Sequence, residues 1–160
     1  MVDKYQLNTV DEIVDAYADL LFRIALQYTG IRQEAEDIVQ ETFLAMLKKL
    51  PFESMLHAKR WLIKVTINKC KDYFKSARRK NLPLDEKMNA TYVENHEDLE
   101  ELNRLDPLDR SIIYLFYYEG YSTKEIASMV GKTRNAVNIR LCRARETLKE
   151  LLQEGDDYEG

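Results

Sequence analysis

The chain has 160 residues, 45% apolar and 32% charged, with only five Gly and three Pro. That composition excludes a collagen-like, low-complexity or membrane-spanning protein and fits one helical domain or two small ones. The net charge of −4 is uneven: residues 1–50 carry −4, 51–80 carry +7, 81–106 carry −6 and 107–160 carry −1. An acidic chain that concentrates its cations in separate segments is a candidate for more than one contact with a polyanion.

A first helix is predicted over Asn8–Tyr28, where Ile13, Val14, Tyr17, Leu20, Leu21, Ile24, Ala25 and Tyr28 recur at helical spacing. Thr29-Gly30 ends it. A second helix is predicted over Glu34–Lys49, with Ala35, Ile38, Val39, Thr42, Phe43, Met46 and Leu47 as its buried side. Asp37, Gln40, Glu41, Leu44 and Lys48 share the opposite side. A single exposed leucine usually means nothing. Ringed by polar residues at helical spacing, Leu44 also reads as the apolar centre of a protein–protein interface.

Leu50-Pro51 breaks the pattern, and 51–57 reads as a short loop. A third helix is predicted from His57 to about Lys80, with Trp61, Leu62 and Val65 on one side and Ile63, Ile67, Cys70 and Phe74 on another. What remains is a stripe of Arg60, Lys64, Lys71, Lys75 and Arg78, with Asn68 on its edge. These aligned cations match a phosphate backbone, each a possible site of counterion release. The plain alternative is a solubilising face, but the stripe contains no acid to balance it.

Residues 81–97 are acidic, lack periodicity and are expected to be a flexible linker. A short helical lead-in is expected over Leu99–Leu105, and Asp106-Pro107 is expected to open a further helix with proline in its first turn. Ile112, Ile113, Leu115, Phe116 and Tyr117 are its expected core side. Ser122 with Glu125 is a capping box that starts the next helix. Gly131 stops it, and Thr133 is the expected N-cap of the last one.

The spacing of Ala127, Gly131 and Val137 is that of a helix-turn-helix: a small residue at the crossing, a glycine at the turn, an aliphatic packing back. Val137, Leu141, Ala144, Leu148 and Leu151 form the buried stripe of the last helix. Asn135, Asn138, Ile139 and Cys142 fall opposite, framed by Lys132, Arg134, Arg140, Arg143 and Arg145. A solvated basic helix would also show such cations. Two Asn inside an Arg frame are what reading a major groove asks for.

The expected architecture is all-α: two small helical domains, 8–80 and 100–152, joined by the flexible linker 81–99 and followed by an acidic, frayed tail 153–160. Cys70 and Cys142 read as free thiols of a reducing compartment, and His57 and His96 have no ligand-spaced neighbours. No catalytic residue, metal site or cofactor is expected. MVDKYQLN is not a signal peptide, so no membrane insertion is expected either.

AEDIVQETFLAML (35–47), WLIKVTINKCKDYF (61–74) and LDPLDRSIIYLFYYEGYSTKEIASMVGKTRNAVNIRLCRARETLKELL (105–152), in that order, resemble a bacterial RNA polymerase sigma factor. The short, two-domain layout resembles the extracytoplasmic-function subfamily. The resemblance implies a cytoplasmic transcription initiation factor without enzymatic activity. Its partners would be the polymerase core, through the beta-prime clamp helices and the beta flap, and promoter DNA, with an anti-sigma factor as a further candidate partner. It implies that Asp37, Gln40, Glu41 and Leu44 meet the clamp helices. It implies that Arg60, Lys64, Asn68, Lys71, Lys75 and Arg78 engage the −10 element, and that Lys132, Arg134, Asn135, Asn138, Ile139, Cys142 and Arg143 read the −35 element.

A helix-turn-helix repressor or activator that acts without polymerase would explain 122–152 but leave the Leu44 face and the 57–80 stripe without a role. An enzyme using Glu34, Glu36, Asp37 and Glu41 is disfavoured. These carboxylates do not converge on one helix face, and no His, Cys or Gly-rich loop accompanies them.

Overall fold

The computed structural model describes residues 4–79 and 105–159, with side chains over 9–76 and 105–150. The expected linker and lead-in therefore lie outside the described residues, except for Leu105, which is buried. The described chain is helical and contains no strand: α1 (Lys4–Thr29), α2 (Arg32–Lys49), α3 (Met55–Arg79), α4 (Pro107–Ile113), α5 (Thr123–Val130) and α6 (Arg134–Glu159).

The first three helices pack on one another. Ile13, Leu21 and Ile24 of α1, Ala35, Ile38 and Met46 of α2, and Leu62, Ile63 and Ile67 of α3 are buried at their centre. Thr42 is also buried there; its hydroxyl returns to the Ile38 carbonyl at 2.8 Å and accepts from Thr66 at 3.4 Å. Ser54 caps α3, accepting from the His57 amide at 3.0 Å. Phe52 is half-buried against Trp61, ring centres 5.5 Å apart, so this loop turns its aromatic inward.

One expected core residue of this unit is outside. Leu47 is 53% exposed. It follows Met46, about 100° further round the helix, which takes it off the stripe that Ala35, Ile38, Thr42 and Met46 bury.

The second unit is α4, α5 and α6. Asp106 caps α4, accepting from the Leu108 amide at 2.8 Å. Beyond Ile113 the helix widens into one π turn, Tyr114–Tyr118, whose Tyr114 carbonyl accepts from Glu119 N at 3.2 Å. A π turn shifts the phase of the side chains that follow it. As a result Tyr114 is buried, Phe116 is only half-buried, and Tyr117, expected in the core, is exposed. The last helix also runs further than expected, its backbone helical through Glu159 in place of a frayed tail. A lone glycine such as Gly155 costs a helix about 1 kcal/mol and does not by itself stop it.

The two units touch. α4 lies against α1, and α5 lies against α3.

Candidate nucleic-acid and protein interfaces

The helix-turn-helix is set by local bonds the sequence encodes. Ser122 Oγ accepts from the Glu125 amide at 3.1 Å, and Glu125 Oε1 accepts from the Ser122 amide at 3.2 Å. Gly131 ends α5 at φ 70°, a conformation that strains any residue with a Cβ. The Lys132 amide donates back to the Ala127 carbonyl at 3.1 Å, and Thr133 Oγ1 accepts from the Ala136 amide at 3.1 Å to start α6.

Val137, Leu141 and Ala144 are buried and hold α6 against its neighbours. That packing turns Lys132, Arg134, Asn135, Asn138, Cys142 and Arg143 to solvent, with Ile139 44% exposed among them. The Arg frame separates into two groups. Arg140 donates to Asp109 Oδ1 of α4 at 2.9 Å. Arg145 donates to the Tyr117 hydroxyl and lies 5.2 Å from the Phe116 ring centre. These two side chains brace α6 on α4 and on the π turn that follows it, whereas Lys132, Arg134 and Arg143 face outward.

On α2, Asp37, Gln40 and Glu41 are exposed, and Leu44 is 63% exposed at the centre of their face. Leu47 lies one turn along and extends the apolar centre. Glu41 pairs at 3.8 Å with Lys69 of α3, a separation at the limit for an ion pair.

On α3 the basic stripe divides. Lys64, Asn68 and Lys75 are exposed, and the Arg78 side chain lies outside the described residues. Arg60 donates to Glu125 Oε2 of α5, and the Lys71 ammonium donates to the Val130 carbonyl at the end of the same helix. Burial lowers the Lys71 pKa, as do the cations Lys132, Lys75 and Arg140. Lys59, beside the stripe, donates to Glu119 at 3.0 Å and sits 5.4 Å from the Tyr121 ring centre. Periodicity along α3 does not mark Glu119 or Glu125, because these acids belong to the second unit. Cys70 is buried, which pushes its thiol pKa up, and Cys142 is exposed; both are free. Among the described residues no His, Cys, Asp or Glu cluster could hold a metal, and no helix is long and apolar enough to cross a membrane.

An outward helix-turn-helix face, a cationic helix and a polar-rimmed apolar face define a nucleic-acid-binding protein with a protein partner. Family comparison is consistent with this. The family described as "Sigma-70 region 2" matches residues 13–80, and "Sigma-70, region 4" matches residues 99–148. The ECF RNA polymerase sigma factor BldN of Streptomyces coelicolor is 28% identical over 172 residues, covering 95% of this chain and 64% of BldN. The ECF RNA polymerase sigma factor SigL of Mycobacterium tuberculosis is 31% identical over 155 residues, covering 89% of this chain and 88% of SigL. The fold is similar to that of the sigma factor RpoE of Bartonella quintana, solved with the anti-sigma factor NepR. The TM-score there is 0.69 at 22% identity, over 89% of this chain and 96% of that one. The chain belongs to the extracytoplasmic-function RNA polymerase sigma factors, the promoter-specific initiation factors of bacterial transcription.

Proposed function

We propose that this chain binds the RNA polymerase core in the bacterial cytoplasm, directs it to promoters through −35 and −10 elements, and assists melting. The observation that carries the reading is the outward face of α6. Two amides, Asn135 and Asn138, stand exposed there while Val137 and Leu141 anchor the opposite side. In the proposed complex Asn138 pairs with an adenine edge and Ile139 meets a thymine methyl. Lys132, Arg134 and Arg143 take phosphates, and Asn135 and Cys142 line the same groove wall.

On α3, Lys64, Asn68, Lys71, Lys75 and Arg60, with Arg78 beyond them, are proposed to follow the backbone of the −10 element. On α2, Leu44 is the proposed anchor for the beta-prime clamp helices, with Asp37, Gln40 and Glu41 as its polar rim. The second unit is proposed to meet the beta flap. An anti-sigma factor is a further proposed partner, as RpoE has in its complex with NepR. A regulator acting without polymerase would leave exposed Leu44 and Leu47 without a purpose.

The test is competition between the wild-type chain and Leu44→Ala for core polymerase. Truncating a packed interface anchor costs about 2 kcal/mol or more, roughly thirtyfold in affinity. Unchanged core affinity in both Leu44→Ala and Asp37→Ala would remove α2 from the polymerase interface.

A further inference from the structure

The geometry points to Asp109 of α4 as a positioning residue for DNA binding. It holds Arg140 beside Arg143, so that the two guanidiniums seat a single backbone phosphate at the edge of the −35 groove. The inference rests on the reading of α6 proposed above and adds Arg140, besides its bracing role, to the phosphate contacts. Arg140 Nη1 donates to Asp109 Oδ1 at 2.9 Å, with side chains 34% and 20% exposed. Arg140 and Arg143 are three residues apart and so are neighbours on one flank of α6. Both line a cleft between α4 and α6 whose other walls are Asp109, Ala136 and Ile139. The cleft measures about 390 Å³. One water takes roughly 30 Å³ of liquid, so a phosphodiester group fits there with water around it.

Ile139 ties the cleft to the reading face. It is a wall of the cleft and is 44% exposed beside Asn135 and Asn138. A helix with its side chains is about 10–12 Å across, and a major groove is about 12 Å wide. A helix that fills the groove therefore brings its flanks against the two backbones, and a DNA phosphate is the occupant this flank meets.

Two guanidiniums against one carboxylate leave the cleft net positive. A guanidinium carries five N–H donors in a rigid fork, and Asp109 accepts at only one of its nitrogens. An unsupported arginine loses rotamer freedom when it binds, whereas one already held by a carboxylate loses less. The sign of the effect is diagnostic. If charge alone matters, removing an acid beside DNA strengthens binding. If the acid positions Arg140, removing it weakens binding at that phosphate.

The experiment uses holoenzyme assembled from core polymerase and the full chain. The probe is a promoter duplex that wild-type holoenzyme selects from a random pool. One neutral methylphosphonate is placed at each linkage of the upstream element in turn. Wild type is expected to lose roughly tenfold in affinity at the seated linkage, the worth of a charge-assisted bond. Arg140→Ala and Arg143→Ala should each lose that sensitivity, at the same linkage, and keep it elsewhere. Asp109→Ala should lose it too, although the chain is then less acidic, and Asp109→Asn, which keeps an acceptor oxygen, should retain it. In an Arg140→Ala background, Asp109→Ala should change nothing further at that linkage.

A wild-type profile in Arg140→Ala would overturn the seat and leave Arg140 as a brace alone. Different linkages for the two arginines would overturn the shared phosphate. Tighter binding of Asp109→Ala with the wild-type profile would overturn the positioning role. A wild-type holoenzyme indifferent to every upstream linkage would instead remove the proposed −35 reading by α6, and the seat with it.

Discussion

Glu125 serves two neighbours with one carboxylate. Hydrogen bonding to Ser122 holds its pKa below the ordinary 4.5, with the Arg60 charge contributing less and desolvation opposing. A carboxyl whose pKa is lowered on folding contributes stability that is present above its unfolded value and lost as pH falls through the folded one. The stability gap between wild type and Glu125→Gln should therefore be present near neutrality and close once the pH drops well below 4.5. Denaturant melts across that range measure it, and a gap that persists in acid contradicts the assignment. Asn138 and Arg143 make opposite predictions on DNA. Asn138→Ala should relax preference at one or two −35 positions, by about 1–3 kcal/mol of discrimination. Arg143→Ala should weaken all sites alike and reduce the salt slope by about 0.9. Titrating the full chain against −35 duplex variants at several salt concentrations decides between them. The reverse pattern would mean the helix lies otherwise in the groove. At this scale the sequence was informative wherever a bond is local. The Ser122–Glu125 box, the Gly131 stop and the Thr133 cap link residues three or four apart, and all are present.

At the scale of elements, each helix position follows from which neighbour covers it. Leu141 is 3% exposed on the packed side of α6. Leu141→Ala should cost about 2–5 kcal/mol of stability, the usual range for emptying a buried aliphatic site. Leu44→Ala, by contrast, should leave the melting curve unchanged while weakening core binding. A thermal melt of both variants checks the pair, and a stable Leu141→Ala would contradict the packing of α6. Where sequence reasoning missed, it missed for reasons of phase and length. Leu47 is apolar but follows Met46 directly, about 100° round the helix and off the stripe its neighbours bury. Tyr117 is at helical spacing from Ile113, yet the π turn rotates it outward. A π turn leaves no mark in hydrophobic periodicity because it changes the period itself.

For the whole molecule, the balance of charge is a property of two units together. The α3 stripe has no acid of its own, and the acid that pairs with its Arg60, Glu125, is 65 residues further on. No spacing rule within a helix reaches that distance, so the contact was illegible in the sequence while the helices on both sides of it were clear. The exposed amides of α6 and the Leu44 face are the surfaces proposed for promoter DNA and for the polymerase core. The measurement that tests this most directly is initiation itself. The chain is combined with the RNA polymerase core of its own bacterium and a library of genomic fragments, and the transcripts are sequenced. The account predicts transcripts that begin downstream of one shared pair of −35 and −10 sequences. It further predicts that they disappear with Leu44→Ala and shift in −35 preference with Asn138→Ala. A chain that binds those fragments but yields no initiation with core would contradict it.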